Sequence, residues 1–366
     1  MKQRLAMQVL GEIMDWDDDR AQKEFAWLRL MSDFKYDSYG DYVAGARFIE
    51  SLADWLQQFE RKERASAYQF IRKSLLFFSA SEIQHLVELL YPETVQRRLL
   101  SLIARNLAIA PYRIWSHPEA TTEFLRLRRQ SLFIGLSDGA RIDGFRRANA
   151  GRISNEQVVL ATEINSAKWK RLVKDLRSDL KNDAARFAFV FLLDDFVGTG
   201  KTLLRKEDNQ WKGRLHRFWE ALSECVDEVL DPGAVIHVHH YIATQQAAAE
   251  IDPRHTQMVA DRGGERWFDK VEFSYGMILP KEICVTDSAL PEFFAITEKY
   301  YDSSIETRHT DVGGEHVKRG FGGAALPLVL EHNTPNNSIA LLWAESTGEK
   351  GKPMRPLFRR RQRHSG

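Results

Sequence analysis

The chain has 366 residues, 43% hydrophobic and 28% charged, with a formal net charge of +1. That is the composition of a globular protein with room for two domains, and it excludes bulk attraction to nucleic acid or anionic membrane. Two cysteines, Cys225 and Cys284, exclude a disulfide framework, and no apolar run nears the roughly 18 residues of a membrane span.

The first third of the chain reads as helical. Asp15, Asp17, Asp18 and Asp19 arrive before a signal-peptide core could form, so a cytoplasmic location is expected. Phe48, Leu52, Trp55, Leu56 and Phe59 share one helical face, and core packing is the expected role of that aromatic stripe. Ser79 with Glu82 makes a capping box for a helix over 85–90. Pro92 suits the first turn of another over 93–108. Helical periodicity breaks between Pro111 and Pro118. The expected division is a helical N-terminal domain over residues 1–115, an α/β domain over 116–348 and a basic C-terminal tail over 349–366.

Beyond the break, strands and helices alternate, which predicts an α/β fold with a mainly parallel sheet. Strands are expected at 132–136, 158–162, 187–193, 235–242 and 271–278, with helices over 167–180, 215–230, 245–251 and 291–301. Lys168, Lys170, Arg171 and Lys174 read as a solvated helix face. Cys225 falls in an amphipathic helix and reads as a buried, inert thiol. His237, His239 and His240 sit on one strand, and without a cysteine or carboxylate pattern they read as sheet histidines rather than zinc ligands. Glycines follow at Gly313-Gly314 and at 320–323, then an apolar strand at 326–330.

Residues 189–202 concentrate the chemistry. Phe189-Val190-Phe191-Leu192-Leu193 reads as a buried strand, and Asp194-Asp195-Phe196-Val197-Gly198-Thr199-Gly200-Lys201-Thr202 follows it. Both carboxylates are expected at the carboxyl end of a central strand, where open α/β sheets bind ligands. The loop's free amides, and a helix expected to begin at Leu203, suit a phosphate. Adjacent carboxylates accept hydrogen bonds from vicinal ribose hydroxyls, or hold a Mg²⁺ that carries a diphosphate. A Walker A loop does not fit, because its first glycine would stand at Asp195. With both acids at a strand end outside the core, replacing them by asparagine is expected to remove ligand binding and leave the fold nearly intact.

The stretch Asp194 to Thr202 resembles the phosphoribosyl-diphosphate loop of the type I phosphoribosyltransferases, usually Asp/Glu-Asp-x-x-Thr-Thr-Gly-x-Thr. The resemblance implies that Asp194 and Asp195 take the ribose hydroxyls, with Mg²⁺ held indirectly, and that Gly198, Thr199, Gly200, Lys201 and Thr202 wrap the 5′-phosphate. Gly198 departs from the family's usual Thr or Ser. Such a core also needs a second anion loop after its first strand. Ser137-Asp138-Gly139-Ala140 occupies that place, with Arg141 to neutralise pyrophosphate, although Ser-Asp-Gly alone is also a plain turn. The family's cation-bearing lid would lie between the two loops, where this chain reads as helix.

Near the end, His332-Asn333-Thr334-Pro335-Asn336-Asn337-Ser338 is a rigid polar loop. It reads either as a nucleobase-edge reader, through His332, Asn333, Asn336 and Asn337, or as a structural Asx-turn network. This loop with its Leu341-Leu342-Trp343 sequel, the helical leader and the Pro356-Leu357-Phe358 close resembles the phosphoribosyltransferase-like effectors of bacterial conflict systems, PRTase-CE. The resemblance implies type I phosphoribosyltransferase topology, a role in antiphage or intergenomic conflict, and a protein partner from the same defence locus. Its ligand would be phosphoribosyl diphosphate or a related nucleotide with Mg²⁺, transferred or cleaved at the ribose C1′. The alternative is a non-catalytic nucleotide sensor that gates a partner. Arg355, Arg359, Arg360, Arg361 and Arg363 make the tail either a solvated segment or an attachment for nucleic acid or a partner.

Overall fold

The computed structural model describes residues 3–43, 45–307 and 316–360; Gly313-Gly314, Arg361 and Arg363 lie outside the described residues. Among these residues are nine strands: β1 (Leu76–Phe78), β2 (Ser131–Gly135), β3 (Val158–Leu160), β4 (Phe187–Val197), β5 (Arg205–Glu207), β6 (Gln210–Lys212), β7 (Leu230–Thr244), β8 (Lys270–Leu279) and β9 (Leu328–Leu330). The chain divides into two compact units, one of Met1–Glu82 with Lys281–Gly366 and one of Ile83–Pro280.

This division differs from the expected boundaries at 115/116 and 348/349. Helix Pro118–Arg129 packs against helix Arg97–Asn106, β2 and helix Ser166–Leu180, which ties the segment from Ile83 onward to the sheet. Pro92 starts no new helix either. It lies in the π-helical stretch Leu90–Gln96 that joins helices Ala80–Leu89 and Arg97–Asn106. A wider turn accommodates a residue that has no amide to donate.

In the first unit, N-terminal helices enclose the C-terminal segment. Trp55 Nε1 donates to the Leu341 carbonyl at 2.7 Å, and Phe70 stacks on Phe293 with ring centroids 4.0 Å apart. β9 pairs in parallel with β1, so the apolar strand expected at 326–330 makes a ribbon of its own and does not extend the large sheet. The tail is anchored as far as it is described. Leu357 and Phe358 are buried in this unit's core, Arg355 pairs with Asp54 at 2.7 Å, and Arg359 pairs with Glu345.

In the second unit, five strands form a parallel sheet in the order β3-β2-β4-β7-β8. The chain leaves β2 to one side for β3 and returns to the other side for β4. Such a reversal opens a crevice at the carboxyl ends of the two strands that flank it, here β2 and β4. Side chains alternate between the faces. Leu132, Ile134, Val190, Leu192, Ile236 and Val238 join a core with Trp169, Phe218 and Met258. Phe133 and Phe191, in register on the other face, stack with centroids 5.2 Å apart, and Phe145 closes on Phe133 at 4.8 Å.

Candidate functional site

β4 runs on through Val197, so Asp194 and Asp195 stand in extended backbone and point to opposite faces of the sheet. Asp194 is only 2% exposed. Its Oδ1 accepts the Ser137 hydroxyl at 2.5 Å, and its Oδ2 pairs with the Arg214 guanidinium. A carboxylate removed from water needs such partners. The expectation that both acids lie outside the core is therefore corrected: Asp194 joins the first loop to helix Arg214–Ser223. Arg214 went unread in the sequence. It follows the β5–β6 hairpin, and the nearest signal is Gly213 ahead of it, which caps that helix at φ +127°.

Asp195 is half-buried on the opposite face and lies against Gly139 of the first loop. A Cβ on Gly139 would collide with Asp195 Oδ2, so a side chain there would push the Asp195 carboxylate from its present place. Asp195 Oδ1 accepts the Phe196 amide at 2.9 Å. Arg141 caps the next short helix in a left-handed conformation, φ 50° and ψ 33°, at a cost of about 1–2 kcal/mol for a residue with a Cβ. Burial pulls its guanidinium below the ordinary arginine value, and the neighbouring Asp195 charge opposes that pull. Backbone strain beside a partly buried cation is what functional loops accumulate. Asp138 is exposed, and Ala140 is buried.

The loop after β4 turns its carbonyls into the protein. Thr244 Oγ1 donates to the Gly198 carbonyl at 2.5 Å, and Arg254 Nη1 donates to the carbonyls of Thr199 and Leu204 at 3.1 and 3.3 Å. The amides of Leu203 and Leu204 take the Gly200 carbonyl at 3.1 and 3.0 Å. Gly200 has φ +70°, and a Cβ there would lie 2.6 Å from Ile251 Cγ1. Among the described residues, no hydrogen bond takes up the amides of Thr199, Gly200 or Thr202. Fixed carbonyls and uncommitted amides make an anion-binding concavity. Gly198, Thr199 and Gly200 are buried, Lys201 is half-buried and Thr202 is exposed.

No helix begins at Leu203. A turn leads into the β5–β6 hairpin, whose corner residues Asp208 and Asn209 have φ of 50° and 59°. Two residues tolerant of positive φ favour a tight hairpin, and that local preference prevails here. Helix Arg214–Ser223 then starts beside the loop, but its Arg214 and Leu215 amides are taken by the carbonyls of Thr202 and Leu203 at 3.0 and 3.1 Å.

The remaining candidates part from these two loops. Lys168, Lys170, Arg171 and Lys174 lie on helix Ser166–Leu180, as expected. Lys170 and Lys174 border a groove of about 450 Å³ with Trp169, Arg177, Cys225 and Glu228, and none of the loop residues lines it. Burial pushes the Cys225 thiol up, away from nucleophile behaviour. Among the described residues, no three His, Cys, Asp or Glu side chains group as a metal site. The loop holding His332, Asn333, Asn336 and Asn337 belongs to the first unit, whereas residues 137–141 and 194–202 belong to the second. Part of its polarity is satisfied locally, while Asn333 Oδ1 has no hydrogen-bond partner among the described residues. Asn337 Nδ2 donates to the Phe321 carbonyl at 2.9 Å, Asn336 O accepts the Phe321 amide at 2.6 Å, and Ser338 Oγ donates to the Leu328 carbonyl at 2.6 Å. His332 and Asn333 are half-buried.

No described helix is long and apolar enough to cross a membrane. A comparison with protein families matches the PRTase-CE model to residues 52–360. No curated protein and no solved structure matches the chain.

Proposed function

The chain belongs to the PRTase-CE family, and from that premise we propose that the carboxyl ends of β2 and β4 bind phosphoribosyl diphosphate or a related nucleotide. The observation that carries this reading is the meeting of two anion loops at the strand-order reversal, through Ser137 on Asp194 and Asp195 against Gly139. The amides of Thr199, Gly200 and Thr202 receive the 5′-phosphate. Asp195 accepts the ribose hydroxyls. The Ser137 to Arg141 loop faces the pyrophosphate, with Arg141 as its cation.

Asp194 is committed to Ser137 and Arg214; in this reading Asp195 and phosphate oxygens would be the donors for Mg²⁺. That set fits an ion that prefers one or two carboxylates, substrate phosphates and waters. The ion would supply charge to the departing pyrophosphate. In the reaction, the bond from C1′ to the pyrophosphate oxygen breaks ahead of formation of the bond from C1′ to the acceptor, a nucleobase nitrogen or water, whose proton passes to solvent. Arg141 stabilises the charge gathering on the leaving group, and Asp195 holds the ribose in place. In this reading the protein is an effector of an antiphage or conflict system, acting with a protein from the same locus.

A second reading, a non-catalytic sensor that uses the same cradle to gate a partner, draws on one observation. The interval between the loops holds the regular helix Ser166–Leu180, where an active transferase would carry a lid. Incubation with phosphoribosyl diphosphate, Mg²⁺ and a panel of nucleobases, with pyrophosphate measured, separates the two. Pyrophosphate release supports the enzyme, and binding without release supports the sensor. No binding overturns both.

A further inference from the structure

One face of the sheet carries a run of polar side chains that the ribose-phosphate reading leaves unused. Residues in register on parallel strands point to the same face. Phe133, Phe191, His237 and Glu272 form one row across β2, β4, β7 and β8, and Gly135, Leu193, His239 and Ser274 form a second row nearer the carboxyl ends. The pairs Asp194 with His240 and Phe196 with Ile242 set Tyr241 level with Asp195, on that same face.

These side chains are linked. Arg98 donates to Glu272 Oε1 at 2.6 Å, and Glu272 Oε2 lies 3.5 Å from His237 Nδ1. His237 Nε2 and His239 Nδ1 both meet Ser274 Oγ, at 2.7 and 2.8 Å. A hydroxyl has one proton, so Ser274 donates to one imidazole and accepts from the other. The Glu272 carboxylate favours a proton on His237 Nδ1, which makes His237 Nε2 the acceptor. Ser274 then accepts from His239 Nδ1–H, and His239 Nε2 is left with a bare lone pair. Burial, with His237 and His240 nearby, holds His239 down to about 3, so the ring is neutral near pH 7.

His239 is 1% exposed and Tyr241 is 0% exposed, and neither His239 Nε2 nor Tyr241 Oη has a partner among the described residues. Their rings meet edge to face with centroids 5.7 Å apart. Buried polar atoms without a partner call for one, and here two lie together; His237 Nδ1 and His240 Nδ1 on the same strand also lack a hydrogen-bond partner among the described residues. A neutral edge bearing both a donor and an acceptor would satisfy both, which neither a simple ion nor an apolar group does.

The geometry points to His239 Nε2 and Tyr241 Oη as an acceptor–donor pair for the base of a nucleoside 5′-monophosphate. This rests on the reading that Asp195 and residues 199–202 hold the ribose phosphate. One strand spacing, about 4.8 Å, separates Asp195 from Tyr241, and His239 lies about 6.6 Å back along β7, toward its amino end. Both atoms are closed to solvent, so the face over Tyr241 opens to admit the base.

The test is calorimetric titration of the full chain with ribose 5-phosphate and, separately, with adenosine, guanosine, cytidine and uridine 5′-monophosphates. Tyr241→Phe removes one oxygen, and His239→Asn keeps a donor for Ser274 while deleting Nε2. The expected result is that at least one monophosphate binds wild type tenfold or more tightly than ribose 5-phosphate does. Each variant erases that advantage while its affinity for ribose 5-phosphate, which also reports its folding, is unchanged. Imidazole ¹⁵N spectra of the histidine-labelled protein should show a proton-free His239 Nε2 that shifts when the nucleotide is added. If ribose 5-phosphate binds but no monophosphate binds better, or if both variants keep the advantage, the pair holds buried water only and the inference falls. If ribose 5-phosphate does not bind, the ribose-phosphate reading fails first and takes this one with it.

Discussion

The loop after β4 and the loop at residues 332–338 carry the same surface signal, a cluster of small and polar residues following an apolar strand. They use their polarity in different ways. In the first, the carbonyls of Gly198, Thr199 and Gly200 are held from within by Thr244, Arg254 and the loop's own turn, and three amides remain uncommitted. In the second, Asn336, Asn337 and Ser338 bond to Phe321 and Leu328, so the polarity fastens one part of the chain to another. Composition nominates both loops. The accounting of donors and acceptors separates a ligand cradle from a structural staple.

The largest expected effect tests the buried side of the cradle. Asp194→Ala leaves the Arg214 guanidinium without its carboxylate, and breaking such a pair costs about 3–5 kcal/mol. Urea unfolding measures this, and a loss under about 1 kcal/mol would return Asp194 to the exposed role expected from sequence. Gly200→Ala forces a side chain into a left-handed residue pressed against Ile251. A loss of about 1–3 kcal/mol is expected, with weaker binding of ribose 5-phosphate. Retained binding would show that the loop does not need its present shape.

The pH dependence sharpens the same contrast, because the sheet beside the cradle buries neutral imidazoles, His239 on the Asp195 face and His240 on the Asp194 face. Burial holds both His239 and His240 at about 3, below the ordinary 6.5, with the Arg214 charge adding to the effect on His240. As pH falls below about 6.5, the unfolded chain takes up protons at these positions and the folded chain does not. Stability therefore declines from pH 6.5 toward 3, by about 1.4 kcal/mol per pH unit for each histidine. His240→Phe should remove one histidine's share of that slope in unfolding curves at pH 6 and pH 5. An unchanged slope would mean that His240 is protonated in the native state. The smallest effect belongs to the staple: Asn337→Ala should cost about 1 kcal/mol and leave ribose 5-phosphate binding unchanged.

Much of this was legible in the chain. Alternating apolar runs and helical stretches give the parallel sheet, and the Phe189-Val190-Phe191-Leu192-Leu193 run followed by two acids marks the end of its central strand. Long-range partners were not legible. Nothing local announces that Arg214, beyond a hairpin, neutralises Asp194, or that Ser274 on an edge strand joins His237 to His239. The unit boundaries were also hidden, because β1 and β9 pair across most of the chain length. Periodicity reports which face of an element is buried. It does not report which distant element buries it.

The central claim is that Asp195 and the amides after β4 hold a ribose phosphate. Calorimetric titration of phosphoribosyl diphosphate with Mg²⁺ into the wild type and Asp195→Asn tests it most directly. Asp195 is half-buried beside Gly139 of the first loop, so the substitution should leave folding nearly unchanged and weaken binding at least tenfold, about 1.4 kcal/mol. Equal affinity in the two proteins, or no binding to either, would contradict the account.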